Sequence, residues 1–181
     1  MKHLIVLVGM PGAGKDTQAD LLENKLGYSI IRTGDMVRKL AQNNPLIDSE
    51  QHSGKLAEPE MVDAMVSDAI RETKIDTKIV CDGYPRTVAQ AKKLHDICIQ
   101  EKIQFDKVIY IQIPVEEVIK RLTLRDREDD TAQGIQKRLE VFESSVRPVL
   151  DYYAQNNFLV TIDGVGEIET IHQRIKKALS V

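Results

Sequence analysis

Five consecutive apolar residues, Leu4-Ile5-Val6-Leu7-Val8, predict a strand buried on both faces. From there the hydrophobic positions alternate between short apolar runs and helically spaced stripes. Ala19 to Leu26 carries apolar residues at helical spacing, and Tyr28 to Ile31 reads as a short second strand. Met36, Val37 and Leu40 start a short helix that Asn43-Asn44-Pro45 breaks, and Leu46 to Gly54 reads as an exposed loop. A helix over about Pro59–Thr73 follows, with Pro59 at its entry and Met61, Val62, Met65, Val66, Ala69 and Ile70 on one face. Thr77 to Cys81 is a third strand, and an amphipathic helix runs over about Val88–Glu101. Phe105 to Ile113 is a fourth strand, closed by Pro114. Glu116 to Arg125 is helical, and a charged turn spans Arg125 to Asp130. A long helix over about Thr131–Ala154 contains Pro148 as a point of kinking. Phe158 to Ile162 is the fifth strand, and the last helix occupies about Glu167–Leu179. This alternation predicts an α/β fold, a doubly wound parallel sheet with ligands at the carboxyl ends of its strands.

Composition narrows the class without changing that picture. A chain of 181 residues, 42% hydrophobic and 29% charged, suits one globular domain. A net charge of −3 supplies no general basic field, so no nucleic-acid partner is expected. No leader is read before the first strand and no apolar run reaches the length of a membrane span, so the expectation is a cytoplasmic protein with no membrane partner. Cys81 and Cys98 show neither metal nor disulfide spacing, and Cys81 reads as a small buried hydrophobe. The four histidines are scattered and read as structural or surface residues.

The chemistry begins where the first strand ends. Gly9-Met10-Pro11-Gly12-Ala13-Gly14-Lys15-Asp16-Thr17 places Gly-x-x-x-x-Gly-Lys between a strand and a helix, the arrangement of a phosphate-binding loop. Consecutive backbone N–H groups and the helix N-terminus form an anion cradle there, and Lys15 reaches the phosphates as a point charge. Thr33-Gly34-Asp35 follows the second strand and Asp82-Gly83-Tyr84-Pro85-Arg86 the third. The topology brings all three stretches to one edge of the sheet.

Four stretches in order resemble the adenylate kinase family of nucleoside monophosphate kinases: residues 9–18, Thr33-Gly34-Asp35-Met36-Val37-Arg38, Asp82-Gly83-Tyr84-Pro85-Arg86-Thr87, and Asp129-Asp130 with Arg138-Leu139 beyond. The resemblance covers essentially the whole chain. It implies a phosphate-loop fold with five parallel strands in the order 2-3-1-4-5, helices on both faces, a small acceptor-binding insertion and a short lid. It also implies one kinase domain over residues 1–181: a core of 1–32, 77–121 and 134–181, an acceptor segment of about 33–73 and a lid of about 122–133. The implied reaction is reversible phosphoryl transfer from Mg²⁺-ATP to AMP, giving two ADP and serving nucleotide biosynthesis. ATP, AMP and ADP are the implied partners, and the family habit is a monomer.

By motif position, the resemblance assigns Gly12, Ala13, Gly14, Lys15, Asp16 and Thr17 to the donor's phosphates, Arg121 to its adenine, and Gly166 to the donor site. Arg38 and Arg86 match the clamp on the acceptor's phosphate. Thr33, Ala57, Gly83 and Gln90 match the acceptor-binding positions, and Thr87 with Gln90 follows the AMP pattern. Lys15, Arg86, Arg125, Arg127 and Arg138 resemble the set around the transferring group. Planar guanidiniums grip phosphate oxygens bidentately, which suits a reaction that needs positioning and charge neutralisation more than covalent help. Taken without the resemblance, Arg38 and Arg138 read equally as solvated helix charges. Asp82 and Asp35 at strand ends read as holders of Mg²⁺ through water, or as turn and helix caps. Asp129 and Asp130 pair with nearby arginines or cap the following helix. Asp16 stands where relatives carry glycine, and either lies near the metal or points outward. A kinase for CMP, UMP or a deoxynucleotide and a non-catalytic nucleotide sensor are the competing readings.

Overall fold

The computed structural model describes residues 1–42, 58–125 and 131–181. Its centre is a sheet of five parallel strands, β1 (His3–Gly9), β2 (Ser29–Arg32), β3 (Lys78–Asp82), β4 (Gln104–Gln112) and β5 (Leu159–Asp163), in the order β2-β3-β1-β4-β5. The interior residues of β1 are all buried, as are four of the five in β3, which is the mark of a sheet covered on both faces. Helices α1 (Lys15–Leu26) and α8 (Ile168–Leu179) pack on each other. Helices α3 (Pro59–Glu72), α4 (Val88–Gln100) and α7 (Arg147–Gln155) form a second contiguous layer. Helix α2 (Thr33–Ala41) lies against α3 and β3, and α5 (Val115–Arg125) and α6 (Ala132–Val141) complete the described elements. Among the described residues no helix is long and apolar enough to cross a membrane.

Two expectations are corrected by the structure. Thr33-Gly34-Asp35 is the first turn of α2 rather than a loop before it, so the chain passes from β2 into helix without a linker. Gly34 and Thr33 are weak helix formers, which hid the start, but Asp35 suits the positive end of the helix dipole. The long helix expected through residue 154 is interrupted by a π-helical turn, Phe142–Val146, immediately before α7. Proline at 148 has no N–H and its ring crowds the carbonyl four residues back, and the wider turn absorbs that misfit. The expected loop over 46–54 lies outside the described residues.

Of the histidines, His3 faces Asp106 at 3.0 Å, His95 packs between Phe105 and Tyr153, and His172 is fully buried between helices. Cys81 and Cys98 are both buried thiols.

Candidate active site

Parallel pairing puts the carboxyl ends of β1, β2 and β3 side by side: Leu7 and Arg32 both register with Asp82, the last residue of β3. The chain after Gly9 turns through residues 10–14 and enters α1 at Gly14, whose φ of 91° an L side chain rarely adopts. Gly9 is required for space, because a Cβ there would lie 2.9 Å from the carbonyl oxygen of Ile111 on β4. Lys15 Nζ donates to the carbonyl oxygens of Gly9 at 3.1 Å and Met10 at 3.4 Å, which folds the ammonium over the loop.

Asp82 sits beneath that loop, 5% exposed. Burial pushes its carboxyl up to about 6; Lys15 draws it down, and the adjacent Asp16 carboxylate, within hydrogen-bonding reach, opposes that. The Asp16 side chain is therefore turned toward Asp82 while remaining exposed to solvent. An acid whose pKa is raised on folding stabilises the fold while it holds its proton and loses that contribution as pH rises through the folded value. From an ordinary 3.8 to about 6, the cost of ionising Asp82 is on the order of 3 kcal/mol. Asp82→Asn is accordingly expected to melt higher than the parent protein at pH 8 in EDTA, by roughly 6–12 °C, and to match it near pH 4. Thermal denaturation across that range checks this; equal melting at both pH values contradicts it.

The segment after β3 makes a second cluster. Gly83, at φ 84°, touches the first turn of α2: a Cβ on it would meet Thr33 Oγ at 2.6 Å and Arg86 Nη2 at 3.4 Å. Thr33 is buried and its hydroxyl donates to the Asp82 carbonyl at 3.2 Å. Arg86 Nε donates to the Gly83 carbonyl at 2.8 Å. Arg86 is exposed as a residue, yet its guanidinium is crowded by protein. That crowding lowers its pKa, Asp82 raises it, and the neighbouring Arg38 guanidinium lowers it. Arg38 curls back over Gly34 and pairs with Asp35 on the same helix. Thr87 caps α4 by accepting the N–H of Gln90 at 3.2 Å, and Gln90 Oε1 reaches back to the N–H of Arg86 at 2.9 Å. Two cationic forks and a capped helix start thus share one edge of the sheet with the phosphate loop.

The far side of the loop faces α5 and the turn after β5. Arg121 is held by Glu117 at 2.7 Å and donates from Nη2 to the Gly164 carbonyl at 3.1 Å. Gly166 follows at φ 123°, with open space where a Cβ would be. Arg174 on α8 clamps the same turn, donating to the carbonyls of Asp163 at 2.7 Å and Val165 at 2.8 Å.

Sequence comparison decides what this geometry belongs to. The family model described as adenylate kinase matches residues 7–158. The chain is similar to an adenylate kinase of Nocardia farcinica, 38% identical over 179 residues that cover 97% of this chain and 98% of the relative. It is similar at the same identity and coverage to one of Mycolicibacterium vanbaalenii, and at 34% to one of Fusobacterium nucleatum that is 97% covered. The chain belongs to the adenylate kinase family. It is a nucleoside monophosphate kinase, a phosphotransferase, and the strand order and loop placement implied by that family are those observed.

Within this adenylate kinase fold the expected residues divide into three groups. Gly12, Ala13, Gly14, Lys15, Asp16 and Thr17 form the loop and first turn of α1, with Asp82 beneath them. Thr33, Arg38, Gly83, Arg86 and Gln90 come together on the α2–β3–α4 side, while Arg121 and Gly166 lie on the α5–β5 side. Arg138 is on α6, with Nε donating to Gly134 of its own helix at 3.3 Å. Arg125 ends α5; Ala57, Arg127, Asp129 and Asp130 lie outside the described residues. Asp35 is engaged by Arg38. Arg174, Asp63 and the hydroxyl of Tyr84 take part in local networks that the sequence did not single out. Each is a helix-face charge or a core aromatic until tertiary packing gives it a partner.

Proposed function

We propose that the chain carries out reversible transfer of the terminal phosphoryl group of ATP to AMP, giving two ADP, with the residues above in the roles that their positions suggest. One observation carries the reading: the phosphate loop with Lys15 and the Arg86–Arg38 pair stand at the ends of adjacent strands, with Asp82 between them sensing both Lys15 and Arg86. An acceptor phosphate oxygen attacks the γ-phosphorus, a new P–O bond forms, and the bond to the β,γ-bridging oxygen breaks with its electron pair leaving on ADP. The loop amides of residues 12–17 and Lys15 hold the donor's phosphates. Arg38 and Arg86 hold the acceptor's, cancelling the repulsion between two polyanions. Arg121 and the turn at Gly166 receive the donor base. Thr33, Gly83, Gln90 and Ala57 border the acceptor base. Arg125, Arg127 and Arg138 close over the transferring group and exclude water. In domain terms the core carries the donor site, residues 33–73 the acceptor site and residues 122–133 a short lid.

The donor set suits a hard divalent ion: two carboxylates side by side, one of them raised in pKa chiefly by burial and further by its neighbour. Bound Mg²⁺ supplies charge neutralisation on the donor's phosphate oxygens. Asp82 and Asp16 would hold it, through water as its hydration demands, while Asp35 orients Arg38 and stands at the rim. Asp16→Gly is expected to raise the Mg²⁺ concentration for half-maximal activity about tenfold; an unchanged Mg²⁺ titration rejects a metal role for Asp16. A cytoplasmic monomer working in nucleotide biosynthesis fits these substrates.

A coupled assay against AMP, CMP, UMP and dAMP tests the reading. AMP is expected to be the best acceptor; turnover of none of them overturns it, and a preference for a pyrimidine monophosphate overturns the choice of acceptor.

A further inference from the structure

Tyr84 is 1% exposed, yet its hydroxyl is not simply capped by the nearest carbonyl. It donates at 2.9 Å to Oδ1 of Asp63, with a longer contact of 3.3 Å to the Gln90 carbonyl oxygen. Asp63 lies on α3, the helix that emerges from the acceptor segment, whereas Tyr84 and Gln90 flank Arg86 at the end of β3 and the start of α4. Gln90 in turn holds the Arg86 N–H through Oε1 and is itself fixed by Thr87. One phenolic hydroxyl therefore joins three elements: the acceptor-side helix, the loop bearing the phosphate clamp, and the first turn of the base-facing helix. A neutral acceptor would satisfy a phenol. The half-buried Asp63 side chain takes the shorter of the two contacts and forgoes part of its own hydration to do so.

We propose that Asp63 is a positioning residue for the acceptor nucleotide, acting through Tyr84 to hold the Arg86–Gln90 loop in register with α3. The proposal rests on the assignment of that loop to the acceptor. Asp63 touches neither substrate. Its removal leaves the Tyr84 hydroxyl the Gln90 carbonyl, so the loop stays folded but is no longer tied to the helix that borders the acceptor. Loss of one such hydrogen bond corresponds to about a tenfold weakening of binding.

The test is calorimetric binding of AMP and, separately, of ATP to the full chain and to Asp63→Asn, Asp63→Leu and Tyr84→Phe, with a thermal melt of each. Asp63→Leu and Tyr84→Phe are expected to weaken AMP about five- to tenfold and ATP less than twofold. Asp63→Asn, whose Oδ1 still accepts from the phenol, is expected to bind AMP within twofold of the parent. Unchanged AMP binding in Asp63→Leu, or equal weakening of AMP and ATP, overturns the proposal. Tyr84→Phe, which keeps the ring, decides the matter if Asp63→Leu does not fold. Turnover of the parent protein separates this inference from the assignment beneath it. A parent that binds AMP but transfers nothing sinks the kinase reading, while selective loss of AMP binding in the variants still supports the latch.

Discussion

Arg86→Ala is expected to lower kcat with AMP about 1,000-fold while moving the melting temperature by only about 3 °C. The kinetic size follows from what a guanidinium does opposite a transferring phosphoryl group, where one arginine is worth on the order of a thousandfold or more. The small thermal effect follows from the local contacts. The Arg86 side chain makes one bond to the fold, Nε to the Gly83 carbonyl at 2.8 Å, and the residue is exposed. One hydrogen bond of that kind contributes roughly 1 kcal/mol. Crowding by the surrounding protein lowers the Arg86 pKa, Asp82 raises it and the neighbouring Arg38 lowers it, so two guanidiniums lie close to each other beside one carboxylate. Two guanidiniums brought together suit a doubly charged phosphate. Arg86→Lys keeps the charge but not the fork, and is expected to recover only a small part of the loss. Steady-state kinetics beside a thermal melt separates the outcomes: a large drop in melting temperature with modest loss of kcat would make Arg86 structural.

Lys15→Met is the second large effect, with an expected fall in kcat of about 1,000-fold and weaker ATP binding. Methionine keeps the length and apolar stem of the side chain and removes only the ammonium. In the structure that ammonium rests on the carbonyl oxygens of Gly9 and Met10, so it is already poised over the loop it serves. Lys15 is also the group that draws the Asp82 carboxyl down against burial and Asp16. Its loss is therefore expected to raise the Asp82 pKa above 6. The variant then melts lower at pH 8 than at pH 5, because the ionised carboxyl has lost the cation that acts on it most strongly. A Lys15→Met protein with parental kcat would remove the phosphate loop from the mechanism.

Much of this was legible because the informative signals are local. The apolar run of Leu4–Val8, the glycine spacing after it and the Asp82–Thr87 stretch each fix a backbone shape within a few residues, and strand alternation then brings them to one edge. What was not legible depends on contacts between residues far apart in the chain. Asp63 sits one position beyond Val62 on α3 and reads as a solvated charge; only the packing of that helix on the β3–α4 turn gives it Tyr84. Arg174 reads as an exposed helix charge, and its clamp on the turn after β5 needs α8 to fold back along the sheet. Asp16 left two orientations open, since a side chain in the first turn of a helix can face inward or outward; its approach to Asp82 spans 66 positions of sequence. The start of α2 was hidden for a different reason. Thr33 and Gly34 have low helix propensity, and the packing of Thr33 beneath Gly83 overrides it.

All of these assignments require two nucleotides to react with each other and not with water. The direct measurement is product stoichiometry: Mg²⁺-ATP and AMP are mixed with the protein and the nucleotides and inorganic phosphate are followed by ³¹P NMR. Two ADP are expected for each ATP and AMP consumed, with no inorganic phosphate released. ADP and inorganic phosphate in equal amounts, with AMP untouched, would contradict it.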